Sequence, residues 1–362
     1  MKTLTVTFHH TTNYGAVLQT YALQQTIMSL GHENVVLDTI LKMPKKKTPS
    51  SIRELYLRYL SWLRRKQTAK LIKEFNLFRQ EKLMMTKPYA NMEELNNDPP
   101  KVDCLITGSD QVWKFTTTPR FLDARLLQFG KDDAIRFSYA ASMEELNYSD
   151  AQKEKLKDAL VSYKGISVRE RSAKEYIESF TPYKVERVLD PVFLLSKDKW
   201  LSVSQQPRIN SPYILCYQVQ SNKQIARVAR ELKRKTGYPI VSICNSSIRW
   251  IQSDYSFHDV SIEEFIGFYN EAAYVVSASF HGVAMGLVFE KPVYALVKSV
   301  RANRIKEVMQ LFELDDYIIS ESETAAIKSY TEAVFVKLRS IKEAMISKSL
   351  AFLKLMLSDE RE

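Results

Sequence analysis

Glycine is scarce in this chain, 9 of 362 residues or about 2.5%, against ~7% in ordinary proteins. That scarcity argues against glycine-rich phosphate loops, and neither G-x-G-x-x-G nor G-x-x-x-x-G-K-[ST] occurs. No apolar run approaches the ~18 residues of a membrane-spanning helix. The opening MKTLTVTFHH breaks its apolar run too early for a secretory signal. Cysteine is limited to Cys104, Cys216 and Cys244, an odd number scattered through apolar segments, so reduced core residues of a cytoplasmic protein are expected. The five histidines (His9, His10, His32, His258, His281) lie in no H-E-x-x-H or cysteine-pair context, so neither a metal nor another cofactor is expected. No G-x-S-x-G elbow is present either.

What is there is ordinary globular material, 45% hydrophobic and 26% charged over 362 residues, enough for two domains. The formal net charge of +10 is concentrated in one place. Residues 42–82 hold thirteen Lys or Arg against three Glu, which leaves the rest of the chain balanced. Within that stretch Ile52, Leu55, Tyr56, Tyr59, Leu60, Trp62 and Leu63 share one helical face. Such a face either packs on its own domain or docks on an anionic membrane surface. Nucleic acid is not expected, because the basic residues are confined to one insert with no accompanying recognition motif.

Short β-rich runs alternate with helical periods. Strands are predicted at 4–8, 35–38, 102–107, 135–140, 165–168 and 185–189, and a helix at 16–30 ends at Gly31. The polar, proline-containing stretch 196–212 marks a junction. Beyond it come strands at 213–218, 239–243, 274–277 and 293–296, with helices at about 222–236, 262–271 and 282–289. The expected organisation is a domain at 1–196 carrying the basic insert, a second at 212–323, and helices over 324–362 packing back on the first. This is an α/β architecture of two doubly wound Rossmann-type domains facing a central cleft, where ligands bind at the carboxyl ends of the strands.

The candidate residues sit at those strand ends. Asn13 is placed to cap the helix that follows the first strand, whose start either holds an anion or is capped for its own sake, and His9 and His10 either reach the cleft or finish the strand. Ser109 and Asp110 follow the third strand in a turn suited to a sugar or a phosphate. Ser138 and Ser142 end the fourth with two hydroxyls able to donate to an anion. Arg169 ends the fifth and binds either a carboxylate or phosphate or an ion-pair partner such as Glu170. His281 stands at the elbow between a buried strand and a short apolar helix, where the helix dipole disfavours its protonated form and suits it to proton transfer. Arg301 and Arg304, one helical turn apart, either face the cleft or cap a surface helix.

Six segments in this order, NYGAVLQTYALQ (13–24), TGSDQVW (107–113), SYAAS (138–142), ISVRE (166–170), LDPVFLL (189–195) and SFHGVAMGLVFEKP (279–292), resemble the polysaccharide pyruvyl transferase family. RANRIKEVMQLFEL (301–314) extends the match over roughly residues 1–320. The resemblance implies a GT-B-like fold and transfer of pyruvate from phosphoenolpyruvate to a sugar acceptor as a ketal, with the acceptor of a lipid-linked oligosaccharide type giving the basic insert a use at the inner membrane face. It implies His281 as general acid or base, Asp110 orienting the sugar, and Arg169, Asn13, Ser109, Ser142, Ser279, Gly282, Arg301 and Arg304 binding substrate. Many members carry arginine where this chain has Ser279, so Arg301 or Arg304 meets the anion or the donor differs. The competing readings are a glycosyltransferase using a nucleotide sugar and a non-catalytic protein of a surface-polysaccharide pathway.

Overall fold

The computed structural model describes residues 1–40, 51–115, 121–143, 146–219, 223–244, 252–297, 303–320 and 326–358. Two compact units divide the chain. One comprises Met1–Lys42, Gln80–Leu195 and Lys342–Glu362, the other Met43–Arg79 and Ser196–Ile341.

The first unit is built on six parallel strands: β1 (Lys2–Val6), β2 (Glu33–Val36), β3 (Cys104–Thr107), β4 (Ile135–Ala141), β5 (Gly165–Val168) and β6 (Val185–Arg187), in the order β2-β1-β3-β4-β5-β6. All six strands expected from the sequence form. Helices cover both faces of a parallel sheet, so its central strands are buried throughout, as Cys104–Thr107 is at every position. The helix Tyr14–Ser29 returns the chain from β1 to β2. Asn13 caps it, its side chain accepting from Gly15 N at 3.0 Å, and Gly31 follows its end at φ +88°, the left-handed position where glycine carries no Cβ penalty.

The second unit is also a six-stranded parallel sheet but with a different winding: β7 (Ile214–Tyr217), β8 (Ile240–Ile243), β9 (Tyr255–Phe257), β10 (Tyr274–Ser277), β11 (Val293–Val297) and β12 (Ile318–Ser320), in the order β12-β11-β10-β7-β8-β9. The two outer strands, β9 and β12, were not foreseen. Each is three residues at a sheet edge, too short to show a hydrophobic pattern.

Two boundaries differ from expectation. The basic segment belongs with the second unit rather than the first: Lys70 pairs with Asp259 at 3.0 Å, and Arg64 lies 2.7 Å from His258 Nε2. The C-terminal segment forms no body of its own. A single helix, Glu332–Met356, carries its last residues into the first unit, where Leu353 and Met356 pack with Phe137 and Tyr139 and Ser349 accepts from Leu189 N at 3.0 Å. Among the described residues no helix is long and apolar enough to cross a membrane. The three cysteines are free and buried, and burial pushes the Cys104 thiol up to about 12, so they are inert core residues.

Candidate functional site

Strand order locates the sites. In a doubly wound sheet ligands bind outside the carboxyl ends of the strands where the winding reverses. In the first unit that point lies between β1 and β3, which puts His9, His10, Ser109 and Asp110 at its rim. In the second unit it lies between β7 and β10, which puts Gln218 beside the Ser277–Gly282 elbow, since Tyr217 and Ser277 are register partners.

The rim of the first unit carries a buried polar network in which Glu170 Oε2 has no hydrogen-bond partner among the described residues. Arg169, 5% exposed, donates from Nε to Glu170 Oε1 (2.9 Å), from Nη1 to Asp190 Oδ2 (2.6 Å) and from Nη2 to Ser142 Oγ (3.0 Å). Ser142 in turn donates to Glu170 Oε1 at 2.8 Å and Ser109 to Asp190 Oδ2 at 3.0 Å. Ser138 is likewise spent inside the sheet, donating to Ser167 O at 3.0 Å. Burial works against the Arg169 charge, but the carboxylates of Glu170, Asp190 and Asp110 outweigh it and hold its pKa above the ordinary arginine value. Arg169, Ser109 and Ser142 thus bind one another and two carboxylates. Of the alternatives the sequence left open for Arg169, the ion pair is the one formed.

Asp110 is held differently. It adopts φ +76°, a left-handed conformation that aspartate tolerates better than most residues but at a cost. Its carbonyl accepts from Val112 N at 2.7 Å and Ser142 N at 3.0 Å, and its Oδ1 from Gln111 N at 2.9 Å, so the side chain stays at the partly exposed rim. One guanidinium against the carboxylates of Glu170, Asp190 and Asp110 leaves this rim negative, which favours neutral polyhydroxyl groups over an anionic ligand.

The second unit presents the opposite arrangement. Ser277, the last residue of β10, donates to Tyr217 O at 2.8 Å and accepts from Ser279 N at 3.2 Å, drawing the elbow tight against β7. A Cβ on Gly282 would lie 2.1 Å from Ser277 Oγ and 2.8 Å from Tyr217 Cδ1, so only glycine allows the helix Phe280–Val288 to start there. Ser279 is its N-cap residue, but its hydroxyl makes no capping bond, and the first N–H groups of the helix point out of its end. His281 occupies the first turn, buried, with its ring edge-on to Phe280 at 5.1 Å. Gln218 is 1% exposed, and neither its amide nitrogen nor its oxygen has a hydrogen-bond partner among the described residues. A buried polar group left so costs about 1–3 kcal/mol.

Of the remaining expected residues, Asn13 spends its side chain on the cap. Arg304 is partly buried near the start of the helix Asn303–Leu311, and Arg301 lies outside the described residues. Sequence reasoning missed Asp190 and Gln218. Asp190 stood inside one of the quoted motifs, and Gln218 was detectable only from its place at the end of the first strand of its sheet.

Two parallel six-stranded Rossmann-like sheets in one chain define the GT-B-like class. A glycosyltransferase from Rickettsia africae has the same fold at a TM-score of 0.51, 12% identity and 99% coverage of both chains. A Listeria monocytogenes protein described as a candidate UDP-N-acetylglucosamine 2-epimerase does so at 0.50, 11% identity, and coverage of 100% of this chain and 97% of the other. No functionally curated protein matches. The model of the family Polysaccharide pyruvyl transferase matches residues 13–298, and the chain belongs to that family.

Proposed function

We propose that this protein is an enzyme that transfers the pyruvyl group of phosphoenolpyruvate to a pair of sugar hydroxyls, forming a ketal on a surface-polysaccharide precursor. Family membership supports a transferase acting on a polysaccharide or its sugar precursor. The observation that carries the donor assignment is the second unit's rim: an orphaned buried amide at Gln218 on the strand end next to an open helix start bearing His281. Phosphoenolpyruvate brings a carboxylate and a phosphate, which a helix start and an amide donor recognise. In the reaction one hydroxyl oxygen bonds to C2 while C3 takes a proton. The second hydroxyl then bonds to the same carbon as the phosphate leaves. His281 moves the proton to C3 or from the hydroxyl. The negative rim around Asp110 takes the acceptor sugar, with Asp110 orienting its hydroxyls and Arg169 holding the rim in shape.

Calorimetric titration of phosphoenolpyruvate against a panel of nucleotide sugars tests the donor, with wild type, His281→Ala and Gln218→Ala side by side. Binding of phosphoenolpyruvate, weakened in Gln218→Ala, is expected. Binding of a nucleotide sugar with indifference to phosphoenolpyruvate would make the protein a glycosyltransferase instead. Binding of neither, with retained affinity for acceptor sugars, would make it a non-catalytic member of the pathway.

The helix Ile52–Leu63 supports a lipid-borne acceptor. Ile52, Leu55, Tyr56, Tyr59, Trp62 and Leu63 form a stripe that is 54–89% exposed, so this face does not pack on its own domain. Arg65 lies 4.8 Å over the Trp62 ring. Exposed Trp, Tyr and Leu beside strong positive charge suit an anionic bilayer surface, whereas a second copy would set one basic segment against another. Co-sedimentation with phosphatidylglycerol vesicles, absent with phosphatidylcholine and lost in Leu55→Glu/Trp62→Glu, is the expected result. Concentration-dependent dimerisation abolished by the same pair would reassign the face to self-association.

A further inference from the structure

At the rim of the first unit, His9 and His10 follow β1 and Asp38 follows the adjacent β2. One nitrogen of each imidazole and one carboxylate oxygen of Asp38 all lie within 4.8 Å of one another. His10 Nδ1 is 3.5 Å from Asp38 Oδ1, near the ~3.4 Å separation of two ligands on a tetrahedral ion with ~2.1 Å bonds. The other nitrogen of each ring is fixed by the protein: His9 Nε2 lies 3.1 Å from Leu37 O, and His10 Nε2 lies 2.8 Å from Thr39 Oγ1. An Nε2–H donating to a carbonyl sets the tautomer with the lone pair on Nδ1, the support that metal-ligating histidines receive from their outer shell.

The backbone around these side chains is anchored as well. Phe8 O accepts from Gln19 Nε2 at 3.2 Å and from Thr20 Oγ1 at 3.3 Å. Asp38 donates its N–H to Thr86 Oγ1 at 3.0 Å, and its carbonyl accepts from Tyr89 N at 2.9 Å. Beside the triad, His10 and Thr39 line a small cavity together with Thr7, Phe8, Leu37 and Arg125.

We propose that His9, His10 and Asp38 bind a divalent transition-metal ion, with the remaining coordination positions open to water or to an oxygen of the ligand that enters this cavity. Two imidazoles and one carboxylate suit zinc, iron or cobalt better than the oxygen-seeking magnesium or calcium. Three protein ligands with open positions mark a site that handles exchangeable ligands, since structural zinc sites are closed by four. No H-E-x-x-H spacing announces such a site because its ligands come from two strand ends that only the parallel β1–β2 pairing brings together.

The test is a cobalt(II) titration of the full chain after chelator treatment, read by the visible d–d bands and by zinc competition. His10→Gln, Asp38→Asn and, as a control at the opposite end of β2, His32→Gln are titrated in parallel. One cobalt per chain, displaced by zinc, with affinity at least 100-fold weaker in His10→Gln and in Asp38→Asn and unchanged in His32→Gln, is expected. Absence of d–d bands in a wild type whose circular dichroism is native would overturn the proposal and leave His10–Asp38 as an ion pair alone. So would cobalt binding that neither variant weakens. The circular dichroism of each variant reports whether it folds, and phosphoenolpyruvate plays no part in the readout.

Discussion

Both units are six-stranded parallel sheets, wound in different orders, and their carboxyl ends are built differently. In the first, Arg169, Glu170, Asp190, Ser109 and Ser142 bind one another in a buried lattice whose net charge is negative. In the second, Gln218 has no hydrogen-bond partner among the described residues and Gly282 lets a helix start close against the strand ends. The difference teaches that a strand-end arginine is not a ligand group until its donors have been counted. The first rim is dominated by an arginine–carboxylate network with a negative balance, and the second by a neutral amide beside a helix start. Under the proposed function the donor goes to the second and the sugar to the first.

The largest expected effect separates chemistry from scaffolding. His281→Ala should lower pyruvyl transfer by about 10²–10⁴-fold, the usual contribution of a positioned acid or base, with the unfolding midpoint within a few degrees of wild type. Retained turnover would remove His281 from the chemistry. Arg169→Met should do the reverse. It leaves Glu170 and Asp190 buried and unpaired, at a cost of about 3–5 kcal/mol, read by urea denaturation. A stable Arg169→Met protein with only a raised KM for phosphoenolpyruvate would restore arginine as a donor ligand and erase the contrast between the rims.

Gly282→Ala sharpens the same contrast at the second rim. The added methyl meets Ser277 Oγ and the Tyr217 ring, so the helix start must shift. Overpacking of this kind costs about 1–3 kcal/mol, and the displaced N–H groups should weaken donor affinity roughly tenfold. The paired variant Gly282→Ala/Ser277→Ala removes the nearest obstacle and should recover most of both losses. No recovery would mean that the glycine serves some need other than the close approach.

How far all this was legible in the sequence follows from range. All six strands of the first sheet and the four inner strands of the second were readable because strands buried on both faces are mostly apolar, as in Ile214–Tyr217 and Ile240–Ile243. Asn13 as a cap and Gly31 past the helix end are local rules and were readable too. The fate of Arg169 was not, because Asp190 lies twenty-one residues away and reaches it only through the β5–β6 pairing. His10 and Asp38 are joined in the same way across β1 and β2. The exposure of the stripe on Ile52–Leu63 was equally out of reach, since amphipathic periodicity states that a helix has an apolar face and not what covers it. Its neighbour Arg65–Lys82 has the same basic composition, yet buries Leu71 and Phe75.

The smallest effect is the most discriminating for the two rims, because its sign differs between stability and binding. Gln218→Met replaces an amide with no partner by an apolar side chain of similar length. Removing an unsatisfied buried polar group should stabilise the protein by about 1 kcal/mol, a rise of about 2–4 °C for a chain of this size, while phosphoenolpyruvate affinity falls by about tenfold. The same type of replacement at the first rim, Ser109→Ala, takes a donor from Asp190 and should instead destabilise by about 1 kcal/mol without touching donor affinity. A Gln218→Met protein that is both less stable and unchanged in binding would show the amide to be structural, and the distinction between the two rims would then fail at the residue on which it chiefly rests.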